Sequence, residues 1–200
     1  MTASELSGGF ADTVFQSQGA FRAIMQAMAR PGKAQALDCP VAPPPVLSRE
    51  LATVALTLCD HETRIWLAPT LRTGAVTKWL AFHAGAPVVE DPDEAAFAFA
   101  DGAAALPPLT SFPRGTAEYP DRGATIVVGA EGLAGGPAVR LSGPGLEFPL
   151  TFAPAGLPAA FWRELLATRS SYPLGLDLLF VADGQVAGLP RSTRIEILET

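Results

Sequence analysis

Apolar and polar positions along this chain alternate between two periods. Leu47, Leu51, Val54 and Leu58 recur at i, i+4, i+7 and i+11, which predicts a helix ending near Cys59-Asp60. Upstream, Val14, Phe21, Met25 and Met28 fall at heptad-like intervals. They predict a first helix capped by Asp12 or Thr13, stopped by Pro31-Gly32, and packed along that stripe. A third helix is expected from Gly74 to Ala84, with Val76, Leu80 and His83 on one face, and a fourth from about Pro158 to Thr168. Short apolar runs read as strands at 35–37, 64–67, 87–89, 97–99 and 124–129. Ala138–Leu141 and Leu146–Phe152 flank Gly143-Pro144-Gly145 as an expected antiparallel pair. The segment 106–123 is dominated by proline and glycine, a long connection of the kind that wraps the surface or carries function.

The last thirty residues are the most informative. Asp183-Gly184 between two apolar runs predicts a two-residue type I′ hairpin, in which Ala182 pairs with Gln185 and Asp177 lies opposite Pro190. Leu176, Leu178 and Phe180 then line one face of the first strand and Asp177, Leu179 and Val181 the other. Such a strand is covered on both sides. An unpaired carboxylate there would be costly, so Asp177 requires a partner or a proton. In strict register Arg191 faces away from Asp177, and a direct pair demands a twist at Gly188 or Pro190. A structural ion pair and a ligand-facing arrangement both fit this pattern. Helices alternating with strands, then mostly strands, give an α/β three-layer sandwich with a mixed sheet. Residues 1–200 are expected to form one domain, with 1–11 disordered.

Composition narrows the function. A formal charge of −6 and a pI near 4.9 argue against nucleic acid as a partner. Only two of the fourteen basic residues are lysine, and arginine's planar fork suits phosphate and carboxylate. No apolar run approaches a membrane span, and the first residues lack a signal-peptide pattern, so a cytoplasmic protein without membrane attachment is expected. Cys39 and Cys59 read as reduced thiols. Cys59-Asp60-His61-Glu62 has metal-binding residue types, but consecutive side chains diverge, and no metal is expected. Phosphate-loop, dinucleotide, nucleophile-elbow and H-E-x-x-H signatures are absent from the sequence.

Several blocks carry a resemblance: Phe21-Arg22, Met28-Ala29-Arg30-Pro31-Gly32, Leu56-Thr57-Leu58-Cys59-Asp60-His61-Glu62-Thr63, Phe82-His83-Ala84-Gly85-Ala86-Pro87, Arg140-Leu141-Ser142-Gly143-Pro144-Gly145, and Tyr172 through Thr193. In order and spacing the chain resembles the H-subunit family of the bacterial carbon-phosphorus lyase system, over about residues 10 to 197. The resemblance implies a fold like the large domain of pyridoxal-phosphate-dependent transferases, without the cofactor. A Schiff base needs a lysine, and neither Lys33 nor Lys78 stands beside a recognisable phosphate-cradling loop. The resemblance also implies a homodimer that joins the G, I and J subunits. That complex supports formation of ribose 1-alkylphosphonate 5-triphosphate from ATP and an alkylphosphonate, with this subunit accessory rather than catalytic alone. The candidate ligand or interface residues in the matching blocks are Arg22, Asp60, His83, Arg140, Asp177 and Arg191; catalytic atoms stay unassigned. An autonomous small-anion enzyme and a pure assembly module without a ligand site are the alternatives.

Overall fold

A computed structural model describes residues 6–169 and 172–198. Side-chain oxygens start three of its four α-helices by accepting an otherwise orphaned N–H. Asp12 accepts from Phe15 at 3.1 Å to open α1 (Thr13–Ala29), Ser48 from Leu51 at 3.2 Å to open α2 (Arg49–Leu58), and Thr73 from Val76 at 3.3 Å to open α3 (Gly74–His83). α4 (Ala159–Thr168) begins after Pro158. α1 stops where expected, at Arg30 before Pro31 and a Gly32 with φ of +72°.

Seven strands form one mixed sheet in the order β3-β2-β4-β5-β8-β9-β1. They are β1 (Gln35–Ala36), β2 (Ile65–Leu67), β3 (Val88–Val89), β4 (Phe97–Ala100), β5 (Thr125–Gly129), β8 (Asp177–Ala182) and β9 (Gln185–Leu189). From β3 to β8 all neighbours are parallel, and β9 runs against both β8 and β1. A second, antiparallel sheet has the order β10-β6-β7, from β6 (Gly132–Ser142), β7 (Leu150–Ala155) and β10 (Arg194–Ile197). The expected hairpin is present in the expected register, with Ala182 opposite Gln185. Asp183 and Gly184 both have positive φ, +50° and +66°, as a type I′ turn requires. Leu178 to Ala182 are buried at five successive positions, so both faces of β8 are covered. Phe152 of β7, Trp162 of α4 and Phe180 of β8 meet with ring centroids 5.6–6.4 Å apart, which fastens the small sheet and α4 to the large one.

Three features differ from the sequence expectation. The small sheet contains a third strand, β10, and β6 starts six residues earlier than Ala138. β7 starts at Leu150 rather than Leu146, because Leu141 pairs with Leu150 and residues 143–149 are all loop. Gly145 causes this: a Cβ there would collide with the Ala29 carbonyl oxygen, so the loop is seated on the end of α1 instead of folding into a tight turn. Of the first eleven residues, 1–5 lie outside the described ones; Ser7 and Gly8 accept bonds from Trp79 Nε1 (2.9 Å) and the Ala42 N–H (2.7 Å).

The third difference is in α1. Its buried face is Ala20, Ile24 and Ala27, while Val14, Phe15, Phe21 and Met25 are 73%, 72%, 48% and 52% exposed. Of the heptad stripe expected to pack, Val14, Phe21 and Met25 face away from the sheet and Met28 is partly buried against the core. Alanine stands at the closest approach because α1 lies directly on β9: a Cβ on Gly188 would stand 2.7 Å from the Ala27 carbonyl carbon and 2.8 Å from the Met28 nitrogen. A helix that close has no room beneath it for phenylalanine or methionine.

Gly188→Ala should therefore lower stability by about 1–3 kcal/mol through overpacking against backbone. Gly19→Ala, at an exposed position of the same helix with nothing within 4 Å of the new methyl, should raise it by about 0.5–1 kcal/mol. Urea denaturation of the two variants checks both signs.

Candidate functional site

The site grows from the point where β9 ends. Pro190 has no N–H to continue the ladder, and the chain folds into a turn in which Thr193 N–H donates to the Pro190 carbonyl at 3.0 Å. This departure from register brings Arg191 round to the side on which Asp177 lies. The Arg191 main-chain N–H donates to Asp177 Oδ1 at 2.7 Å, and its Nε and Nη2 donate to Oδ2 at 3.0 and 2.5 Å. Arg191 Nη1 also donates to the Pro120 carbonyl, across a gap that exists because residue 123 is glycine; a Cβ there would stand 2.7 Å from Nη1. The long 106–123 connection, anchored by buried Leu109 and Phe112, thus closes over the ion pair. The two side chains are only 15% and 17% exposed. Asp177 is structural first: its charge is matched by a fork and a main-chain donor.

A second arginine completes the site, and the sequence reading did not single it out. Arg169 follows the last turn of α4 and reaches three carbonyls, those of Pro190 (2.7 Å), Thr193 (2.6 Å) and Leu189 (3.2 Å). It holds the turn that delivers Arg191. Its one sequence signal is a cation at a helix C-terminus, which is common and unspecific. Burial draws the Arg169 pKa down to about 10; Asp177 opposes that shift and Arg191 adds to it. At neutral pH Arg169 stays charged, and two buried-side guanidiniums share one carboxylate.

Beside this cluster opens a cavity of about 860 Å³, lined by Arg169, Arg191 and Arg194, by the Ser192-Thr193 segment, by the 143–146 loop and by Tyr172. Among the described residues no carboxylate lines it. Behind that wall Arg169 Nε and Thr193 Oγ1 are buried, shielded from the cavity, and lack a hydrogen-bond partner among the described residues. The volume falls in the range of small-molecule sites, roughly 300–1,000 Å³, and the charge suits an anion. It lies at the amino-terminal end of β8, which is unusual for an open α/β sheet, where ligands tend to sit beyond the carboxyl ends.

Of the six residues singled out from sequence, only Asp177 and Arg191 touch each other. Arg22 is exposed on α1. Arg140 of β6 faces Glu196 of β10 at 3.6 Å on an exposed surface. Asp60 is exposed and shapes the turn before β2, accepting from Thr63 Oγ1 (2.8 Å) and the Glu62 N–H (2.9 Å); those bonds, the Thr63 hydroxyl first, hold its carboxyl below the usual range. His83 ends α3, its ring against Trp79 (4.7 Å) and Phe82 (4.9 Å) and under Gly9, with Nε2 buried and without a hydrogen-bond partner among the described residues. Cys59 is buried while Asp60, His61 and Glu62 are exposed, and burial raises its thiol pKa to about 12. Lys33 and Lys78 are both exposed, and neither lines the cavity.

Fold and site together define an α/β protein with an arginine-lined cavity built around a structural Asp–Arg pair. The chain belongs to the bacterial phosphonate metabolism protein (PhnH) family, whose model matches residues 8–196. It is 45% identical over 190 residues, 95% of both chains, to the alpha-D-ribose 1-methylphosphonate 5-triphosphate synthase subunit PhnH of Rhizobium meliloti (strain 1021). Over 106 residues, 52% of this chain and 53% of the relative, it is 35% identical to the "Putative C-P lyase subunit protein HtxG" of Stutzerimonas stutzeri.

Asp177→Ala should cost about 3–5 kcal/mol, because it strands Arg191 next to Arg169 and opens a hole. Asp177→Leu fills the volume and should cost less. Replacing both partners, Asp177→Leu with Arg191→Met, should recover part of the loss, since the orphan cation goes with its partner. Thermal melts of the three variants check the order.

Proposed function

We propose that this chain is an accessory subunit of a ribose 1-methylphosphonate 5-triphosphate synthase in phosphonate catabolism, working in the cytoplasm. The observation that carries this is full-length similarity to a named subunit of that enzyme, 45% over 95% of both chains. The subunit acts as one domain and as a homodimer that joins the G, I and J subunits, so that the complex forms ribose 1-alkylphosphonate 5-triphosphate from ATP and an alkylphosphonate. Its seven-stranded mixed sheet supports a likeness to the large domain of pyridoxal-phosphate-dependent transferases. The exposure of both lysines supports a fold used here without that cofactor. Among the described residues no helix is long and apolar enough to cross a membrane.

The arginine-lined cavity favours a ligand role within that assembly over a bare scaffold. Three arginines on the wall and, among the described residues, no carboxylate suit a phosphonate or phosphate group. Of the residues named from sequence, Arg191 would face such a ligand through Asp177's positioning. Arg22, Asp60, His83 and Arg140 lie on other surfaces and belong, if to function, to contacts with other subunits.

Two experiments follow. Coexpression with the G, I and J subunits should give one species in size-exclusion chromatography; elution of this chain apart from folded partners would reject the subunit reading. Methylphosphonate or phosphate should raise the melting temperature of the purified protein by several degrees at about a hundredfold excess over Kd, where linkage supplies roughly 2.7 kcal/mol. Arg194→Ala, at an exposed position outside the ion pair, should lose most of that shift while melting like the parent without ligand.

A further inference from the structure

The outward stripe of α1 is the feature that the arginine cavity does not absorb. Val14, Phe15, Phe21 and Met25 are exposed on a single helix, with half-buried Met28 closing the row. Contiguous apolar surface of this kind mostly marks an interaction site. The charges around it are mainly basic, although Asp12 caps the helix beside Val14 and Phe15 and exposed Glu147 adjoins Phe148. From residue 13 to residue 33 the chain carries Arg22, Arg30 and Lys33, all exposed, and not one carboxylate, in a protein whose net charge is −6. The face continues into a groove lined by Met25, Met28 and Ala29, then by Pro144 and Gly145 and by the Asp177–Arg191 pair, whose carboxylate is already matched by its arginine; Gly145 seats the β6–β7 loop on the Ala29 carbonyl there. Phe148 of the same loop is also exposed.

We propose that the α1 stripe and this groove form the docking surface for an acidic, apolar-faced segment of another subunit. The proposal rests on the accessory-subunit reading above and identifies the face that reading requires. A second copy of this chain is the weaker occupant on charge: an isologous contact across the stripe would bring Arg22, Arg30 and Lys33 of both copies into one interface, with Asp12 the only carboxylate from residue 12 to residue 33 to receive them. An acidic partner offers apolar side chains to Phe15, Phe21 and Met25 and carboxylates to the flanking cations. Such a contact draws affinity from buried aromatic and methionine surface and orientation from its charged rim.

The test coexpresses the G, I and J subunits with wild-type chain, with Val14→Glu/Phe21→Glu, and with Arg22→Glu/Arg30→Glu. All four substituted positions are exposed, so the variants should melt like the parent and keep its mass when purified alone. The carboxylate-bearing stripe should drop out of the complex. The charge-reversed rim should assemble more weakly, and wild-type assembly should weaken as salt rises from about 0.05 to about 0.5 M, where exposed pairs are screened. Assembly of the stripe variant at wild-type strength would overturn the proposal. So would a stripe variant that turns an isolated dimer into monomers, since the face would then be covered by a second copy. Failure of the wild-type chain to assemble at all would reject the subunit reading, and this surface with it.

Discussion

The close approach of Ala27 to Gly188 governs both surfaces of this protein that bear on function. With only a hydrogen at residue 188, the α1 backbone settles on β9, and Gly32 N–H donates to the Gly188 carbonyl at 2.9 Å just beyond the helix. That contact sets Ala20, Ile24 and Ala27 inward and leaves Val14, Phe15, Phe21 and Met25 outward. It also clamps β9 two residues before Pro190, where the chain leaves the sheet and carries Arg191 to Asp177. One missing Cβ thus sets the orientation of the exposed stripe and the starting point of the arginine turn.

The arginine turn is held from three sides. Arg169 ties the end of α4 to the carbonyls of Leu189, Pro190 and Thr193, Asp177 ties β8 to Arg191, and the Pro120 carbonyl ties in the long connection. Most donors of the two guanidiniums are used for architecture, which positions them but leaves their charge only half matched. A cavity with that charge on one wall and a glycine loop on another is pre-formed for an anion, and Arg194, exposed at its rim, is a further cation facing it.

Much of the fold was legible because its signals are local. The Asp-Gly turn, the periodicity of α2, the Pro-Gly stop of α1 and the apolar run of β8 each depend on a few neighbouring residues. What was illegible depends on distant ones. The outward stripe of α1 has helical spacing, as a buried stripe would, and only Gly188, some 160 residues away by the numbering, decides which face goes inside. Arg169 was invisible for the same reason: its partners are main-chain carbonyls, which leave no trace in sequence. Asp177 stands out because a carboxylate in an apolar strand demands a partner, while strict register points Arg191 away from it and leaves a structural pair and a ligand-facing arrangement both open. The bend at Pro190 resolved the conflict.

The central claim is that the large face of α1 is left bare by this chain's own fold so that another subunit covers it. Oxidative footprinting of Met25 by mass spectrometry tests it most directly, on the isolated protein and on the assembled complex. The account predicts rapid sulfoxide formation at Met25 in the isolated chain and strong protection in the complex. Equal oxidation of Met25 in both states, with the complex demonstrably intact, would contradict it.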